Sequence, residues 1–136
     1  MEDINHHISI ISDQVLRADS LSKAIEDGLK QNIRIAVLGT DNFQELKNLP
    51  KPLLLLIDLM GTAKNSRQII GAIREMDANI KIIALHLYRS LFLVDPLYKM
   101  GINGYVYYEP SREELIKAIR VVQSGKKYVP NYLMTA

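Results

Sequence analysis

The feature that most constrains this chain is the run Leu53-Leu54-Leu55-Leu56-Ile57, which closes on Asp58 and is preceded by Pro50-Lys51-Pro52. Prolines disfavour helical backbone in the residue before them, so the approach to the run is extended. Leu is a good helix former, and propensity alone leaves the run open. Its short length and flanking breakers favour a strand, and a strand apolar at every position is buried on both faces, as in the middle of a parallel sheet. The run is the longest apolar stretch in the chain at five residues, far short of the roughly 20 needed to cross a bilayer.

The rest of the sequence alternates in the same sense. Ile8-Ser9-Ile10-Ile11 has strand length, and Gln14 to Lys30 changes to helix spacing. There Val15, Leu21, Ala24, Ile25 and Leu29 share one face, with Arg17, Lys23, Glu26 and Lys30 elsewhere. Ile33 to Leu38 reads as a strand ended by Gly39, and Asp41 can cap a short helix through Leu46. Beyond Asp58, Ile69, Ile73 and Met76 repeat at helix spacing, and Ile80 to Leu85 is strand-like. Leu91 to Met100 is a helix candidate ended by Gly101 and interrupted by Asp95-Pro96, which predicts that it is shortened or kinked. Tyr105 to Tyr108 is a short aromatic strand. Ser111-Arg112-Glu113-Glu114 is a capping box for a last helix carrying Leu115, Ala118, Ile119 and Val122 on one stripe, with Gly125 as its stop. Five strands alternating with five helices over short connections predict a doubly wound, three-layer α/β fold with a mainly parallel sheet.

Composition excludes several chemistries. A length of 136 residues suits one domain. Lys and Arg number 17 against 15 Asp and Glu, a net charge of +2 without any basic cluster, so a strong nucleic-acid surface is not expected. The absence of Cys removes disulfides, thiolate nucleophiles and zinc ribbons. Met1-Glu2-Asp3-Ile4-Asn5-His6-His7 carries acids where a signal peptide needs positive charge, which points to a cytoplasmic protein. His6-His7 reads as a solvated leader, because two histidines make a poor zinc site. Residues 1–130 form the expected domain, and residues 131–136 a frayed tail or the start of a linker.

In an open parallel sheet, ligands bind beyond the carboxyl ends of the strands. Those ends fall at Ser12-Asp13, Gly39, Asp58, His86 and Tyr108, which brings two carboxylates, an imidazole and a phenol to one edge. The loop after the first strand has no glycine to bring backbone amides close to a phosphate, and neither Gly-x-Gly-x-x-Gly nor a P-loop occurs. A small-molecule or enzymatic flavodoxin-like domain is therefore the least supported alternative.

Four segments together carry a family resemblance. They are Ile57-Asp58-Leu59, Lys81 to Leu85, Met100-Gly101-Ile102-Asn103-Gly104-Tyr105-Val106, and Glu113-Glu114-Leu115 through Gly125. The chain resembles the CheY-like receiver domain of a two-component response regulator, closest to receivers of the NarL/LuxR type that carry a C-terminal helix-turn-helix. The resemblance covers about residues 8–130 and implies a five-stranded sheet of order 2-1-3-4-5, an absence of enzymatic turnover, and a histidine kinase or other signalling protein as partner. Self-association is also open, and DNA is a partner only if an effector domain follows. Gly125-Lys126-Lys127-Tyr128-Val129-Pro130 resembles the point where such receivers run into their linker.

By the resemblance, Asp58 is the phosphoacceptor, Asp13 and the Met60 carbonyl are the remaining Mg²⁺ ligands, and Tyr105 is the switch aromatic. The acidic pair reads Ser12-Asp13, so one carboxylate is missing. His86 stands where the family has Ser or Thr, and Tyr108 where it has Lys. The Met-Pro usual after the phosphoacceptor is replaced by Met60-Gly61-Thr62-Ala63. Loss of a ligand carboxylate weakens Mg²⁺, and loss of the lysine removes a fixed charge of a kind worth about 3 to 4 kcal/mol in other enzymes. The expectation is a degenerate receiver in which Asp58 sits in a neutral hydrogen-bonded cluster with Tyr108 and His86, acting through protein contacts. The alternative is a slow phosphoacceptor in which Asp13 and Ser12 hold a weak metal.

Overall fold

The computed structural model describes residues 6–30, 32–51 and 53–134. Its elements are β1 His6–Ile11, α1 Val15–Leu29, β2 Ile33–Leu38, β3 Leu53–Asp58, α2 Ser66–Met76, β4 Lys81–His86, α3 Leu91–Lys99, β5 Gly104–Tyr107 and α4 Arg112–Gln123. The strands form one parallel sheet of order β2-β1-β3-β4-β5, in which β3 pairs with both β1 and β4. This is the expected doubly wound topology. The short helix expected from Asp41 is a 3-10 turn, Phe43–Asn48, so four α-helices flank the sheet among the described residues.

Each residue of β3 is buried, as its unbroken apolar run requires. Alternation divides them between two cores. Leu53, Leu55 and Ile57 pack with Ile11, Ile82, Ala84 and Tyr105 against Ile70, Ile73, Val94 and Leu97 of α2 and α3. Leu54 and Leu56 pack with Ile8, Ile10, Ile83 and Val106 against Ala18, Ile25, Leu115, Ala118 and Ile119 of α1 and α4. Burying each of these Leu and Ile side chains contributes about 1.5–3 kcal/mol, so the central strand anchors both layers.

Several local expectations change. His7 lies within β1, in register with Arg34 and Leu53, so the histidine pair is not a leader. Residues 1–5 and Pro52 lie outside the described residues. The helix α3 has nine residues, with Ser90 as N-cap and Pro96 inside. It runs on past Pro96 to Lys99, and the chain turns at Gly101, which takes φ +112°.

Residues 126–134 fold back onto the sheet. Gly125 takes φ +92°, a left-handed conformation that turns the chain back after α4. Tyr128 then bridges Gly104 and Met134 bridges Ser90, both in parallel sense, and Pro130 and Leu133 are buried. The capping box of α4 is half formed. Ser111 Oγ accepts from the Glu114 amide, while the Glu114 carboxylate accepts from the Tyr128 hydroxyl at 2.9 Å.

One side chain fastens the far end of the sheet. The Arg74 guanidinium donates to the carbonyls of Asp77, Ala78, Ile80 and Gly101 and to Asn103 Oδ1. Asn103 Oδ1 also accepts from the Ile82 amide, so α2, β4 and the turn before β5 share one polar knot.

Candidate functional site

Asp58 ends β3 on the same side as Leu54 and Leu56, facing α1, and is fully buried. A buried carboxylate without partners would cost several kcal/mol, so its surroundings are decisive. Arg17, in the first turn of α1, donates from Nε to Oδ2 at 2.7 Å and from Nη2 to Oδ1 at 3.0 Å. Such two-pronged, charge-assisted pairs are the strongest hydrogen bonds a protein makes. Ser12 Oγ donates to Oδ2 at 3.0 Å and accepts from the Gln14 amide at 3.1 Å, which holds the uncapped start of α1 above Asp58. The hydrogen bonds to Asp58 raise the Arg17 pKa against the effect of burial, and the charges of Asp58, Glu109 and Tyr108 add to the rise. On the remaining side sits Gly61. A methyl group there would collide with the Asp58 carboxylate and lie 2.8 Å from Ser12 Oγ.

Asp13 turns away from this pair. Its carboxylate accepts from the Thr40 amide at 2.8 Å, the Thr40 hydroxyl at 2.9 Å and the Ala63 amide at 2.8 Å. Burial pushes its pKa up, but these donors and the Lys64 charge outweigh that and lower it. Asp13 therefore ties the loops after β2 and β3 to the end of β1. Its own amide donates to the Gly61 carbonyl, and Met60 packs on the α1–α4 side.

The Mg²⁺ set of the resemblance does not fit this arrangement. A cation site needs several hard oxygens converging at about 2.0–2.1 Å. The two carboxylates point to different partners, both Asp58 oxygens carry a guanidinium, and no trio of acids or histidines suited to a metal occurs among the described residues.

The expected cluster of Tyr108 and His86 on Asp58 is corrected by the same geometry. His86 follows Ile82 and Ala84 on the opposite face of β4, stacks on Tyr88 with centroids 4.2 Å apart, and accepts from the Leu87 amide at Nδ1. That bond assigns the proton of the neutral ring to Nε2. Burial lowers the His86 pKa, and the Asp58 charge opposes the shift. Tyr108 has φ +53°, and its exposed side chain lines a cleft of about 220 Å³ with Arg17, Ser20, Leu21 and Glu109. Tyr105 is buried inward, where its hydroxyl donates to the Tyr88 carbonyl at 2.7 Å and burial raises its pKa.

Sequence reasoning missed Arg17, which it placed only off the apolar face of the first helix. A signal was present. A cation in the first turn of a helix opposes the macrodipole, and α1 has no acid there, so Arg17 needs a local anion.

No family model matches the sequence, and no curated protein does. Solved structures do. The isolated receiver domain of RcsB from Salmonella enterica serovar Typhimurium is 21% identical, with TM-score 0.81 over 94% of this chain and 95% of that one. The receiver domain of RcsB from Escherichia coli is 22% identical, with TM-score 0.76 over 93% and 99%. A LuxR-family response regulator from Aurantimonas sp. is 16% identical, with TM-score 0.79 over 92% and 89%. The chain spans 67% of a longer RcsB response-regulator chain from Salmonella typhimurium. The fold is that of response-regulator receiver domains.

Proposed function

We propose that the chain is a receiver module of two-component signalling that works in the cytoplasm through protein–protein contacts, without metal-dependent phosphoryl transfer or turnover of a substrate. The observation that carries this reading is the Arg17–Asp58 pair. A phosphoacceptor must offer a free carboxylate oxygen and share a cation with the incoming group. Here both Asp58 oxygens are engaged by Arg17, Ser12 adds a third hydrogen bond, and the second acid is committed to Thr40 and Ala63. The side chain that neutralises Asp58 belongs to the protein itself. The receiver fold shared with RcsB domains supports the signalling context.

The test is incubation with acetyl phosphate or phosphoramidate and Mg²⁺, read on intact mass. Unmodified protein is expected, and stoichiometric phospho-Asp58 overturns the reading.

A second reading is favoured by one observation. Arg17 is 28% exposed and borders the cleft with Tyr108, which gives the guanidinium room to swing aside. In that case Asp58 accepts phosphate slowly over a weak Mg²⁺ site, and Arg17 supplies charge to the phosphoryl oxygens. RcsB dimers of the same receiver fold have been solved on DNA, and by that likeness this reading makes the chain the N-terminal part of a helix-turn-helix regulator. Slow, Mg²⁺-dependent labelling that is abolished by Asp58→Asn distinguishes it.

A further inference from the structure

We propose that the outer edge of β5 is a groove for an extended peptide, filled in this structure by the chain's own residues 126–134 acting as a strap. An edge strand presents a row of unpaired amides that template another strand. On β5 the outward donors are the amides of Tyr105 and Tyr107. The first donates to the Tyr128 carbonyl at 3.3 Å and the second to the Tyr132 hydroxyl at 3.2 Å. In return the Tyr128 amide donates to the Asn103 carbonyl at 2.9 Å. This is strand addition in parallel sense, the mode by which sheets recognise extended peptides, but made within one chain.

Side chains anchor the strap at both ends. The Tyr128 hydroxyl reaches Glu114 on α4, and the Tyr98 hydroxyl on α3 donates to the Tyr128 carbonyl. Leu133 inserts into the core against α3 at 8% exposure. Beyond it, the Met134 amide donates to the Arg89 carbonyl and the Leu91 amide to the Met134 carbonyl, each at 2.7 Å. The strap thus spans from α4 across β5 to the start of α3. Its contacts with β5 itself are few, one backbone bridge and one phenol, while the strands beneath are fully paired. It can leave without unpairing the sheet.

The far anchor also reaches the loop after β4. Arg89 and Leu91 lie just beyond Tyr88, whose carbonyl accepts from Tyr105 and whose ring stacks on His86. Release of the strap frees this loop.

The experiment uses the full chain and its Leu133→Glu variant, with Tyr132→Phe as a milder second variant. Amide hydrogen exchange is read alongside binding of a fluorescent peptide of residues 126–136. In Leu133→Glu, the amides of Leu91, Tyr105 and Tyr107 are expected to lose protection at least tenfold while those of Ile83 to Leu85 keep theirs. The peptide is expected to bind that variant saturably and the parent weakly or not at all. Tyr132→Phe should expose the Tyr107 amide alone. Loss of protection across the whole sheet in Leu133→Glu together with an unchanged Tyr107 amide in Tyr132→Phe overturns the proposal, because the segment is then core and not a strap. Equal binding of the peptide to parent and variant, or to neither, overturns it as well.

Discussion

Arg17 and Asp58 are joined side-on, two nearly parallel N–H···O bonds tying the first turn of α1 to the last residue of β3. The two partners are not equivalent, since Asp58 has no exposure and the Arg17 side chain is 28% exposed. Removing Arg17 leaves a buried carboxylate with one hydroxyl, whereas removing the Asp58 charge leaves a guanidinium that can turn to water. Arg17→Met is therefore expected to cost about 3–5 kcal/mol in urea unfolding at neutral pH and Asp58→Asn about 1–2. Equal costs for the two variants contradict this asymmetry.

Protonation of His86 should destabilise the protein. Burial lowers its pKa from the ordinary 6.5. Below that value the unfolded chain binds more protons than the folded one, so stability is full above it and falls as pH drops toward the folded pKa. His86→Gln should flatten this part of the profile between about pH 5 and pH 8. Urea midpoints of both proteins across that range check it, and parallel profiles refute it.

Gly61 is small because the carboxylate needs the space. A Cβ there would collide with Asp58, sit 2.8 Å from Ser12 Oγ and lie 3.0 Å from Gln14 Cγ. Gly61→Ala is expected to lower stability by about 1–3 kcal/mol, the usual cost of overpacking, and to weaken the Arg17 pair. The effect on the pair is read by NMR from the Arg17 guanidinium N–H signals, which should lose protection from exchange with water.

The Arg74 knot depends on a planar fork. Its donors reach four backbone carbonyls and Asn103, none of them a full charge, and burial lowers its pKa. Lys has the charge but not the geometry. Both Arg74→Met and Arg74→Lys should lose about 1–3 kcal/mol, since each leaves the buried Ile80 carbonyl and the half-buried Gly101 carbonyl short of donors. Rescue by Lys contradicts this account.

Much of the fold was legible because β3 is apolar at every position before Asp58, and so short a run between breakers favours a strand covered on both faces. The Asp58 position followed from the same run. Its partners did not, because they depend on parity across strands. Counting by twos from Leu54 puts Asp58 on the α1 side, and counting from Ile82 puts His86 on the other, so the expected His86 contact was already excluded by alternation. Arg17 escaped notice because helix periodicity reports only which face is apolar. The docking of the tail was hidden for a different reason. Its anchors are a phenol on a backbone amide and a carboxylate diverted from a capping box, and neither leaves a periodic trace.

The strap also limits how copies of this protein can aggregate. Among the described residues the sheet has two edges, β2, which pairs with β1 alone, and β5, which the strap closes with a phenol where a continuing strand would offer a carbonyl. A sheet with one open edge can join one neighbour through it, and growth stops at the pair. Only a molecule with its strap released has two adhesive edges, and only such molecules can add end to end into a fibre.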